Sequence, residues 1–135
     1  MRGILSAVIG ALLPVMGLSA TTGEEDTIVI NPINATDFEV LEDMSSDAGY
    51  YWCGAATFVE RRSGRSGLTE VYIKRPRGPS VTAPGRTGVV FSTSGAGLPA
   101  ASGNRLTVTV DTPGTMLKSV QARRYCRDAF TRATK

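Results

Sequence analysis

The chain contains no histidine. That removes Ser-His-Asp and Cys-His nucleophilic sites, histidine general bases and histidine metal ligands. Cysteine is confined to Cys53 and Cys126, and once those two pair no thiolate nucleophile or zinc-thiolate site remains. There is no Walker-type loop, HExxH motif or EF-hand spacing. The glycines at 64–67 and 95–97 lack the strand-Gly-helix context of a phosphate cradle and read as loop residues. Tryptophan occurs once, at Trp52. Basic residues are missing from 24–60, which hold nine carboxylates and neither Lys nor Arg. Beyond residue 20 no apolar run is long enough to span a membrane.

What is present begins with a tripartite N-terminus. Arg2 is followed by an apolar stretch, Ile4 to Leu18, and then by the small residues Ser19 and Ala20. This is the pattern of a cleaved secretory signal over residues 1–20, with cleavage after Ser19 or Ala20. The alternative, a membrane anchor, needs ~20 uninterrupted apolar residues, and this run is shorter and broken by Pro14. An exported chain with two cysteines is expected to carry one disulfide, Cys53–Cys126, and to reside in the periplasm or outside the cell. The rest suits one domain: an N-terminal extension, 21–36, partly flexible and frayed over Thr21–Asp26, then a single unit, 37–135.

From Arg61 onward, fourteen basic residues face only Glu70, Asp111 and Asp128. Two explanations compete. The halves neutralise each other on folding, or the second half carries a basic face for an anionic partner.

Thr27–Ile30 suggests a short strand ended by Asn31-Pro32. Asn34-Ala35-Thr36 fits a glycosylation acceptor and, in a bacterial-type chain, a turn. Phe38-Glu39-Val40 alternates as a strand. A helix is expected from Ala48 to Arg62, apolar nearly all round and so buried on most sides, stopped by Ser63-Gly64. Strands follow at 69–74 and 89–93, and the cleanest alternation is Leu106, Val108, Val110 against Thr107, Thr109. One covered and one wet face imply an antiparallel sheet. Arg75–Arg86 reads as a stiff proline-rich loop outside the ladder, with Pro84-Gly85 at the centre of a type II turn. A last helix is expected from Thr112 as cap and Pro113 as first residue to about Thr131, with Ala122, Tyr125, Cys126, Ala129 and Phe130 on its inner face. The fold class is therefore α+β: an antiparallel sheet of about four strands, two helices on one face, order β-α-β-β-β-α, one disulfide.

For function, Arg77 and Arg86 are the first candidate binding residues, with Lys74 and Arg75, because arginine grips phosphate and carboxylate in bidentate fashion. Trp52, in the cluster Tyr50-Tyr51-Trp52, is a candidate ligand platform set against a role in the core. Glu60, with Glu70, offers a carboxylate pair for a small hydrolase, against a salt bridge to a nearby arginine such as Arg61, Arg62 or Arg124. No catalytic residue, cofactor or metal site is assigned. The expected partner is an anionic envelope component or a protein, not nucleic acid. A non-enzymatic binding module reads best, followed by the hydrolase and by a protein inhibitor presenting the proline-rich loop.

Four stretches carry a resemblance: Phe38-Glu39-Val40; Tyr51-Trp52-Cys53-Gly54-Ala55; Gly78-Pro79-Ser80-Val81-Thr82 with Pro84-Gly85-Arg86; and Tyr125-Cys126. Their order resembles a group of small secreted alphaproteobacterial proteins with no assigned activity. The resemblance implies a shared fold and disulfide and brings no substrate.

Overall fold

The computed structural model of the protein describes residues 24–100 and 108–133. The expected signal segment 1–20, residues 21–23, and Leu106 and Thr107 of the expected last strand lie outside the described residues. Glu24–Thr27 forms a 3-10 turn. It is tied down, since Arg61 pairs with Glu25 at 3.3 Å and Asp26 at 3.0 Å.

Two strands follow, β1 (Ile30–Pro32) and β2 (Asp37–Leu41), paired antiparallel with Ile30 opposite Val40. The turn between them is built by Asn34, whose Oδ1 accepts the amides of Thr36 at 2.9 Å and Asp37 at 2.8 Å, an Asx turn. β1 lies at the sheet edge, where Pro32 costs no interior ladder bond. Ile28 and Ile30 are buried in the common core, so 24–36 packs with the rest.

The sheet is completed by β3 (Glu70–Pro79), β4 (Thr87–Ser92) and β5 (Met116–Lys118). Its order is β1-β2-β4-β3-β5, antiparallel at every pairing. The class is α+β as expected, with five strands where about four were anticipated. Phe38, Val40, Val71, Ile73, Val89 and Phe91 point to the helical side. There Phe38 stacks on Phe58 at 4.2 Å between ring centroids.

Helix α1 (Ala48–Ala56) is buried from Gly49 to its end and continues as a π-helical segment, Thr57–Arg62. The winding changes where the Thr57 hydroxyl donates back to the Cys53 carbonyl at 2.9 Å, a bond that loosens a helix locally. The C-terminal helical arm has two pieces, α2 (Ser119–Arg123) and α3 (Tyr125–Ala133). The disulfide Cys53–Cys126 joins α1 to α3 with Cα atoms 4.7 Å apart. Ala122, Cys126, Ala129 and Phe130 face inward as expected, whereas Tyr125 is only half-buried.

Four expectations are corrected. Arg75–Pro79 is strand, not loop: β3 pairs with β4 through Pro79, and register shifts between Ile73 and Gly78 accommodate Pro76. Residues 108–110 are not strand. Trp52 Nε1 donates to the Thr109 carbonyl at 2.8 Å and Val110 is buried, so this stretch serves as core lining beside β3. Thr112-Pro113 does not start a helix. The Thr115 amide closes on the Thr112 carbonyl at 3.3 Å with Gly114 at φ 88°, a type II turn. The helix begins instead at Ser119, capped by Lys118, whose amide donates to Gln121 Oε1 at 2.9 Å. Finally, the second sheet face is not simply wet. Glu39, Leu41, Val90 and Ser92 are buried on it, because the loop after β3 folds across β2 and the loop after β4 lays Gly95 against the Tyr72 ring.

Candidate functional site

The site is built from the loop 80–86 outward. Pro84-Gly85 forms the expected type II turn: the Arg86 amide donates to the Ala83 carbonyl at 3.1 Å and Gly85 sits at φ 81°. The Ser80 amide donates to the Arg86 carbonyl at 2.8 Å and closes the loop base. Ser80 Oγ accepts the Ala83 amide at 2.8 Å.

What holds this loop on the sheet is Glu39, a carboxylate only 1% exposed. It accepts the Ser80 hydroxyl at 2.7 Å, the Val81 and Thr82 amides at 3.0 Å each, and the Thr82 hydroxyl. Burial alone pushes its pKa up, but the Thr82, Ser80 and Val81 hydrogen bonds outweigh that and hold it below the usual carboxylate range. No described cation pairs with it. Neutral donors carry the whole load, and the absence of a Cβ at Gly88 makes the room, since one there would lie 2.7 Å from Glu39 Oε2.

At the base of the loop, Arg77 and Arg86 converge. Arg77 Nε and Nη2 both reach Glu42 Oε1, at 2.9 and 2.8 Å. Arg86 Nη2 donates to the Glu42 backbone carbonyl at 3.0 Å. Tyr51, wholly buried on α1, donates its hydroxyl to the same Glu42 Oε1 at 2.6 Å. Burial pushes the Glu42 carboxyl up, and the Tyr51 and Arg77 bonds more than reverse it, leaving it lowered. Burial and then Glu42 raise the Tyr51 phenol, which stays protonated as a donor. Both arginines border an open hollow of about 430 Å³, lined also by Gly78, Pro79, Gly85 and Thr87. Two guanidiniums against one carboxylate leave an excess of positive charge there, and each keeps unused N–H donors.

The remaining candidates scatter. Lys74 is bound to Asp37, which is 4% exposed. Burial would raise the Asp37 pKa, but bonds from Lys74, Ser92, Thr36 and Asn34 hold it far below the usual range. Arg75 is exposed on β3. Trp52 is not a platform: it is fully buried, its ring 4.9 Å from that of Phe91. Burying so large a surface, with its one N–H satisfied, makes it core. Glu60 accepts the Ser119 hydroxyl and an Arg123 N–H, each at 2.6 Å, so the expected salt bridge to a nearby arginine is present, with Arg123 as the partner. Glu70 accepts the Tyr72 hydroxyl at 3.0 Å on the sheet.

Comparison with protein-family models, curated proteins and solved structures yields no match.

Sequence reasoning singled out Arg77 and Arg86 but passed over Glu42, which both arginines contact, and Glu39, which holds the loop beside them. The signal was there in part: Glu39 alternates with Phe38 and Val40 in a strand, so it had to face the other side of the sheet, and Ser80-Val81-Thr82 supplies the donors a buried carboxylate needs. Among the described residues no group of three or more His, Cys, Asp or Glu side chains is placed to hold a metal ion, and no helix is long and apolar enough to cross a membrane.

Proposed function

We propose that the protein is an exported, non-enzymatic binding module that takes an anionic group, on an envelope component or a protein partner, at the Arg77–Arg86 hollow. One observation carries the reading: the guanidiniums of Arg77 on β3 and Arg86 at the end of the following loop border a single hollow, held by the same residue, Glu42. Bidentate donors placed side by side suit phosphate or carboxylate. The signal-like N-terminus and the disulfide support a periplasmic or secreted location.

The test is co-sedimentation with anionic and zwitterionic vesicles, and with an acidic polysaccharide, at about 0.05 and 0.5 M salt. Binding is expected to the anionic probes only, weakening with salt. An Arg77→Gln/Arg86→Gln double variant is expected to lose about tenfold or more in affinity, with its unfolding midpoint little changed. Equal binding by the double variant, or binding indifferent to salt, would falsify the assignment.

A second reading is supported by the Glu39 clamp. A loop pinned by four hydrogen bonds, with the Val81 residue 46% exposed, is preorganised for presentation to a peptidase. That reading expects the intact loop to survive incubation with peptidases while slowing at least one of them. Rapid cleavage between Ser80 and Arg86 would count against it.

A further inference from the structure

The geometry points to a second binding site, on the helical side of the molecule, for a single-ring polyhydroxylated carboxylate of hexuronic-acid type. It lies where the π-helical segment Thr57–Arg62 ends against the β1–β2 turn and shares no lining residue with the Arg77–Arg86 hollow. A hollow of about 310 Å³ opens there, lined among others by Asn34, Thr36, Phe58, Ser63, Arg65 and Thr93. That volume is at the small end of the range for ligand sites, the right scale for one sugar ring.

Three features make it more than a surface dent. The first is the winding of the helix. The Ser63 amide bonds to the Phe58 carbonyl at 2.9 Å and the Arg65 amide to the Val59 carbonyl at 2.9 Å, spans of five and six residues that spread the last turn and carry Arg65 round to the hollow. Segments wound this way are rare in helices and are concentrated at functional sites.

The second is the division of labour among the charges beside it. Arg61 is engaged by Glu25 and Asp26, Arg62 by the carbonyls of Asp26 and Ile28, and Glu60 by Arg123. Lys74 and Asp37 neutralise each other behind Thr36. Arg65 is the one charged residue among those lining the hollow, and its exposed guanidinium has no acceptor among the described residues. A lone guanidinium with all its donors unspent is suited to a carboxylate.

The third is the remaining wall. Phe58 is half-buried and fixed by its 4.2 Å stack on Phe38, so its ring is a rigid apolar surface for the C–H face of a sugar. Around it stand the Ser63 hydroxyl, the Thr93 hydroxyl, whose contact with the Thr36 carbonyl is a long 3.5 Å, and the Thr36 hydroxyl, which donates to Asp37 and can still accept. One cation, one ring and a rim of hydroxyls match the carboxylate, the ring face and the hydroxyls of such a ligand, in the proportions usual for small-molecule sites.

The test is amide chemical-shift titration of the oxidised, full-length protein with glucuronate, glucose, acetate and a short oligouronate. Glucuronate is expected to shift Thr36, Ser63, Arg65 and Thr93 amides saturably, while glucose and acetate at the same concentration shift them far less. Arg65→Gln is expected to weaken glucuronate about tenfold or more with an otherwise unchanged spectrum. Ser63→Ala, at an exposed position, is a second variant expected to weaken it by a smaller factor. Arg77→Gln/Arg86→Gln is expected to leave this titration unaltered, which separates the two sites. Oligouronate binding tighter than monomer identifies the end of an acidic polysaccharide as the source; equal or weaker binding identifies the free sugar acid. Acetate as effective as glucuronate, glucose as effective as glucuronate, an unaffected Arg65→Gln, or no shifts at all would each overturn the proposal.

Discussion

Glu39 shows how much of this protein's surface geometry rests on one buried side chain. Its carboxylate takes up the donors of Ser80, Val81 and Thr82 with no described counter-charge. Oε1 takes three of the donors and Oε2 one, so an amide NH₂ at either place faces at least one donor, and Glu39→Gln is expected to cost about 1–3 kcal/mol by urea unfolding and to speed amide exchange at Val81 and Thr82. Gly88→Ala is expected to lower stability through the same contact, since its methyl meets the carboxylate. The pH dependence follows from the direction of the shifts. Asp37, Glu39 and Glu42 all have folded-state pKa values lowered relative to the unfolded chain. Their contribution is therefore complete above the unfolded carboxylate range, about pH 4, and is lost as pH falls below it through the folded values. Urea midpoints from pH 7 down to about 2 check this, and a midpoint that rises on acidification contradicts it. Trp52 gives a simpler readout. Being fully buried, it is expected to emit at short wavelength and resist quenching until the protein unfolds; a quencher-accessible native signal contradicts the packing.

At the level of elements, two Pro-Gly pairs make the same turn in different settings. Gly85 and Gly114 sit at φ 81° and 88°, each after a proline and before an amide that closes the turn. Alanine at either is expected to destabilise by about 1 kcal/mol, read from urea or thermal midpoints, because a Cβ disfavours that backbone region. The first turn was legible from composition. The second was read as a helix start because Thr-Pro at 112–113 also fits a cap, and the decisive residue was Gly114, which has no place in a first helical turn. The helix Ala48–Arg62 was legible to the residue because its apolar run and its Gly64 stop are local signals. Its π-helical end was not, since that winding depends on the Thr57–Cys53 bond and on packing against Phe38. The stretch 108–110 alternates as a strand does, yet its burial comes from Trp52, a partner far away in sequence. The same distance hid the candidate site: the arginines could be named, but their convergence depends on Glu42, 35 residues before Arg77 and 44 before Arg86.

For the whole molecule, the segregated charges resolve into pairs across the two halves. Glu25 and Asp26 meet Arg61, Asp37 meets Lys74, Glu42 meets Arg77 and Glu60 meets Arg123. The cations are 40 to 58% exposed, so each pair contributes little to stability; their effect is to cancel the self-repulsion of each half. The covalent tie weighs more. Cys53 and Cys126 are 73 residues apart, and reduction is expected to lower stability by about 3–4 kcal/mol, measured by urea unfolding with and without dithiothreitol. Titration of the unreduced protein is expected to find no free thiol.

That tie also sets an order on biosynthesis. The apolar α1 leaves the ribosome long before β4, which brings Phe91 to Trp52, and longer still before α3, which brings Cys126 to Cys53. A nascent chain halted in between has α1 made but lacks the strand and helix that cover much of its surface. Such a polypeptide keeps apolar surface in contact with water until its tail arrives.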